Sequence, residues 1–154
     1  MEENKNGVRS FSKNFWTVIF MEFTERGSYY GVMAIFAIYL SLESAAGGLG
    51  LTKPQVGLIQ SIIVPLIYFI PIFAGMLADR YGYRLMLTFA FILMSAGYFF
   101  SSMSNSFYGM LMSMTIVAIG AGTFKPIVSG TIALETNKQN STLGFGIFYW
   151  SVNL

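Results

Sequence analysis

Long apolar runs broken by short polar stretches divide the chain into segments, and their lengths are those of membrane spans. Four runs are long enough to cross a bilayer, which takes about 20 residues: residues 15–42, 54–78, 85–103 and 107–134. A fifth run opens near residue 142 and is still apolar at residue 154, so it is expected to be the start of a further helix. The breaks are built as helix ends. The stretch from Glu43 to Lys53 is glycine-rich and closes on Thr52-Lys-Pro-Gln55, a capping box with proline in the first turn of the next helix. Asp79 to Arg84 reads as a short charged turn, Ser104-Asn105-Ser106 as a tight polar turn, and Glu135 to Ser141 as a polar connection.

Composition narrows the class. Of 154 residues, 55% are hydrophobic and 10% charged, against roughly 25% charged in soluble domains. The fold class expected is therefore all-α integral membrane. The absence of cysteine excludes disulfide and thiolate chemistry, and the absence of histidine removes the commonest metal ligand and general base. No metal site, cofactor, nucleic-acid partner or enzymatic centre is expected. The lipid bilayer is the partner that the composition implies.

The few charges then carry the information. Lys5, Arg9 and Lys13 precede the first run, Arg80 and Arg84 flank the second break, and Lys138 lies in the fourth. All six fall on one side, with Lys53 alone on the other, and this bias puts residues 1–14, a basic tail, in the cytoplasm. Glu22, Glu25 and Arg26 interrupt the first run too early for it to serve as a cleaved leader.

The two remaining basic residues, Arg26 and Lys125, fall within apolar runs, as do Glu22 and Glu25. A charge at mid-bilayer costs at least about 2.5–3.5 kcal/mol against lipid. The first helix is long enough for its cluster to snorkel to an interface. The spacing, however, lines up Glu22, Glu25, Arg26, Tyr29, Tyr30 and Met33 on one helical stripe, which favours a surface facing protein or water. Lys125 has no other charge on its run and sits beside Gly120, Gly122 and Pro126, which permit close approach of backbone or substrate. Two acids and two bases balance, so a structural pairing and a proton-sensitive switch are both open, and they are compatible. Tyr68, between Pro65 and Pro71, reads either as a packed ring or as a hydroxyl turned to a polar cavity.

Four motifs resemble a known family. Gly75-Met-Leu-Ala-Asp79-Arg80-Tyr-Gly82-Tyr-Arg84 resembles the G-x-L-a-D-R-x-G-R signature of the major facilitator superfamily. Glu22-Phe-Thr-Glu25-Arg26-Gly-Ser-Tyr29-Tyr30-Gly31 is similar to the E-x-x-E-R-F-x-Y-Y-G motif of the proton-dependent oligopeptide transporters. Gly120-Ala-Gly122-Thr-Phe-Lys125-Pro126 and Phe148-Tyr149-Trp150-Ser151-Val152-Asn153 resemble that family's fourth- and fifth-helix motifs. The resemblance covers the whole chain but only the first five of twelve expected helices, so residues 15–154 would be an incomplete six-helix bundle, with the remainder of the transporter as a missing partner.

The resemblance implies proton-coupled symport of di- and tripeptides by alternating access across the cell membrane, with protons as coupling ion and no cofactor. It assigns proton coupling to Glu22, Glu25, Arg26 and Lys125. It assigns the substrate cavity to Arg26, Tyr29, Tyr30, Tyr68, Lys125 and Asn153, and a cytoplasmic gate to Gly75, Asp79, Arg80, Gly82 and Arg84. Helices one and four are counterparts in the superfamily's inverted repeats, so their charges are expected to converge on a central cavity. Two departures bear on this. Gly27 replaces the motif's phenylalanine and is expected to loosen the first helix, and Ile127 replaces an asparagine and is expected to remove a polar group near the cavity. The competing readings are another secondary carrier of the superfamily for a different small solute, and a membrane subunit that transports nothing.

Overall fold

The structure is a computed structural model that describes residues 7–153. Lys5 of the basic tail lies outside the described residues. Five α-helices follow one another: α1 (Lys13–Ser41), α2 (Lys53–Tyr81), α3 (Tyr83–Ser102), α4 (Phe107–Glu135) and α5 (Ser141–Val152). Three of them, α2, α3 and α4, are long and apolar enough to cross a membrane. Helix α1 matches α2 and α4 at 29 residues, or about 43 Å at 1.5 Å per residue, and differs in carrying Glu22, Glu25 and Arg26 mid-length.

The expected spans fall on these helices, and the differences lie at their ends. The charged turn expected at Asp79–Arg84 is one residue long: α2 runs on through Tyr81, and Arg84 already belongs to α3. Only Gly82 links them, at φ 90° and ψ 144°, backbone that a side chain would strain. The basic tail is not a plain tail either, since Val8–Ser10 form a 3-10 turn and the Phe11 ring is buried. At the start of α2, Gln55 Oε1 accepts from both the backbone N–H and the hydroxyl of Thr52, each at 2.9 Å. The glycine-rich break folds back on α1: the N–H groups of Leu49, Gly50 and Leu51 donate to the carbonyls of Tyr39, Leu42 and Leu40 at 2.8–2.9 Å. That satisfies acceptors which a helix end otherwise leaves open.

The chain divides into two compact units, one holding the described residues up to Val32 and from Val128 onward, the other Met33–Ile127. In the second unit α4 is tightly packed. A Cβ on Gly120 would stand 2.7 Å from Met94 Cγ and 2.9 Å from the Ala90 carbonyl, and one on Gly122 would stand 2.7 Å from Ile70 Cβ. Small residues let helices approach in this way where lipid offers no hydrophobic drive. The glycines beside Lys125, expected to permit close approach of backbone or substrate, are thus buried where α4 meets α3 and α2, and at Gly120 it is backbone that approaches. Ile127, where the resemblance carries an asparagine, is fully buried in a core with Ala78 and Met86, edged by Tyr83 and Leu87. In the first unit Phe11 stacks on Phe15 at 4.1 Å between centroids, and both lie close against Gly144 of α5.

Candidate functional site

Three turns into α1, a charge cluster is held within a single helix. Arg26 Nε and Nη2 donate to the two carboxylate oxygens of Glu25 at 2.5 and 2.7 Å, a bidentate pair. One turn back, Glu22 Oε1 stands 3.6 Å from Arg26 Nε. The three side chains are buried, with Glu22, Glu25 and Arg26 only 4%, 5% and 7% exposed. Sequence spacing brings them together because Glu25 and Arg26 lie three and four positions after Glu22 and so share its face, and burial then makes the pairing obligatory. The guanidinium carbon also lies 5.0 Å from the centre of the Tyr29 ring and 5.8 Å from that of Tyr30. At such distances the negative π faces attract the cation. The expected stripe is present, and its phenols differ: Tyr29 is half-buried and Tyr30 exposed. Gly27 lies on the exposed side, with nothing within 4 Å of where its Cβ would be, and α1 runs unbroken through it.

Lys125 belongs to the other unit, where its Nζ sits 5.3 Å from the centre of the Tyr68 ring. Tyr68 is 72% exposed within this chain, and the lysine lies over the face of its ring. Asn153, one residue past α5, is exposed, and its amide donates to the Tyr149 carbonyl at 2.6 Å, one turn back on its own helix.

At the α2–α3 corner, Asp79, Arg80, Gly82 and Arg84 are exposed and Gly75 is half-buried. Among the described residues Asp79 makes no ion pair with Arg80 or Arg84. Its carboxylate accepts from the Tyr83 hydroxyl at 3.1 Å, and the Arg80 guanidinium lies 5.5 Å from the Tyr81 ring centre. Tyr83 stands where the signature carries its last arginine, a substitution legible in the sequence and absent from the residues first assigned to the corner.

Sequence reasoning placed the polar break after α4 but passed over the contacts its residues make. Glu135 accepts from the Ser12 hydroxyl and, at 3.1 Å, from Asn14 Nδ2. Asn140, almost fully buried, donates to Ser10 Oγ at 3.2 Å. No motif marks these residues, whose partners lie more than a hundred positions away in the chain.

The sequence pattern of the Major Facilitator Superfamily matches residues 16–154, nearly the whole chain. The chain belongs to the Major Facilitator Superfamily. Within that superfamily its likeness runs to peptide transporters. An uncharacterised transporter of Bacillus subtilis, YclF, is 34% identical over 97% of the chain and 31% of its own length. A di-/tripeptide transporter of Lactococcus lactis is 32% identical over 90% of the chain and 29% of its own length. Among solved structures, a peptide transporter named POT, crystallised in complex with sulfate, superposes with a TM-score of 0.87 at 33% identity. That match covers 97% of this chain and 31% of the other. The chain thus spans about a third of the length of the relatives it matches. Membership of this superfamily makes the protein a membrane protein, in keeping with its apolar helices.

Proposed function

We propose that this chain serves a proton-coupled symporter that imports di- and tripeptides by alternating access. The observation that carries the reading is the buried Glu22–Glu25–Arg26 cluster in a chain similar to di-/tripeptide transporters. A guanidinium gripped by two buried carboxylates is a two-state device. Protonating a carboxylate removes its claim on Arg26, and the freed cation then takes another anion. The carboxylate of a peptide is the anion of matching, bidentate geometry. Proton and cargo thereby favour the same state, which is what coupling requires.

The other roles follow. Lys125 supplies a second cation for the peptide carboxylate, with Tyr68 beneath it, and Tyr29, Tyr30 and Asn153 contribute aromatic and amide surface to the cargo site. Gly75, Asp79, Arg80, Gly82 and Arg84 form a cytoplasmic gate at the corner between α2 and α3. The protein resides in the cell membrane with its N-terminus in the cytoplasm, where the excess of lysine and arginine lies. Protons are the coupling ion, and no cofactor takes part.

The test is uptake of labelled dipeptide by the full-length protein in proteoliposomes under an inward proton gradient. Glu22→Gln and Lys125→Ala are each expected to abolish accumulation above equilibrium. Gradient-driven accumulation unchanged in both variants would overturn the reading.

A further inference from the structure

Glu135 is the last residue of α4, and no basic residue stands in that helix's final turn. A carboxylate there opposes the partial negative charge of its own helix end, a placement that costs rather than stabilises. Its contacts resolve the conflict. The Glu135 carboxylate faces the first turn of α1, where a helix carries partial positive charge, and it accepts from the Ser12 hydroxyl and from Asn14 Nδ2. Ser12 is used twice. It immediately precedes α1, and its Oγ also accepts from the backbone N–H of Phe15 at 3.1 Å, the bond of an N-cap.

A second, independent tie lies alongside. Asn140 Oδ1 accepts from the Asn137 N–H at 2.8 Å while its Nδ2 donates to Ser10 Oγ at 3.2 Å. The break after α4 is therefore closed on itself and joined to the 3-10 turn before α1. A third is apolar: the Phe11 ring, stacked on Phe15, lies 3.2 Å from the Cβ that Gly144 lacks. All these residues belong to one compact unit.

We propose that Glu135 braces the cap of a helix other than its own. With Ser12, Asn14, Ser10 and Asn140, it forms a staple that binds residues 7–14, the start of α1 and the α4–α5 break into one rigid piece. The staple fixes the ends of the two helices that bear the membrane-embedded charges. It does not depend on what the protein carries.

The experiment uses the full-length protein purified in detergent, with Ser12→Ala, Glu135→Ala and the double variant. Thermal unfolding is expected to show a combined loss clearly smaller than the sum of the single losses. Hydrogen exchange read by mass spectrometry gives the second measurement. In Glu135→Ala, residues 8–16 and 136–141 are expected to exchange about tenfold faster, the equivalent of one charge-assisted hydrogen bond, while α2 and α3 are unchanged. Additive losses would overturn the staple. So would exchange that is unaltered in those segments, or raised uniformly along the chain. None of these readings involves transport, so a failure of the peptide-carrier proposal leaves them unaffected.

Discussion

Arg26 is where charge, burial and chain geometry meet most tightly. Its guanidinium has two hydrogen bonds to Glu25, a longer ionic contact to Glu22 and two aromatic faces nearby. Removing the cation leaves two buried carboxylates without it, and breaking a buried pair in this way costs about 3–5 kcal/mol. Arg26→Ala is accordingly expected to lower stability by an amount of that order, read by thermal unfolding of the purified protein. Arg26→Lys separates charge from geometry, since an ammonium cannot bridge both oxygens of one carboxylate as the planar fork does. It is expected to retain most of the stability and lose proton-driven uptake. Spacing alone exposed this cluster, because residues at i, i+3 and i+4 share a face wherever the helix lies. The role of Tyr68 was not legible in the same way. Its neighbour Lys125 is 57 positions along the chain, and only tertiary packing brings the two together.

Among the helices, the glycines sort into two kinds that look alike in the sequence. Gly120 and Gly122 are pressed against α3 and α2, whereas Gly27 faces open space. Gly120→Ala forces a methyl group onto the Ala90 carbonyl, which as backbone cannot move aside as a side chain does. A destabilisation of about 1–3 kcal/mol is expected, as for other overpacked cores. Gly27→Ala meets no neighbour and gains helix propensity, so it is expected to be neutral or to stabilise by up to about 1 kcal/mol. Thermal unfolding of both variants checks the contrast, and equal effects would contradict the packing. The apolar runs located every helix because a run of that length in lipid has no alternative to helix. They did not show which glycines were contacts, nor that Ile127 is core, since both depend on which face of α4 meets α3. Helix ends were legible where a side chain caps its own helix, as Thr52 and Gln55 do. They were not where the partner is remote, as at Glu135.

For the molecule as a whole, the distribution of charge is what supports the proposed orientation. Lysine and arginine in short loops are retained on the cytoplasmic side, and in that orientation six of the seven outside the apolar runs share one side. The structure adds a constraint, because the staple joins the residues before α1 to the break after α4. Those two segments must then lie on the same face of the bilayer, which an even number of crossings between them satisfies. These 154 residues contain no cysteine, so a single thiol introduced here reports its own location once any cysteine elsewhere in the full-length protein is replaced. Lys138→Cys is expected to react with a membrane-impermeant maleimide only after the cells are permeabilised. Ser44→Cys, in the glycine-rich break, is expected to react in intact cells. Labelling of both positions from the same side would leave α1 unable to cross the bilayer. Its three charges would then be an interfacial cluster, and the case for a buried proton switch on α1 would fall with the topology.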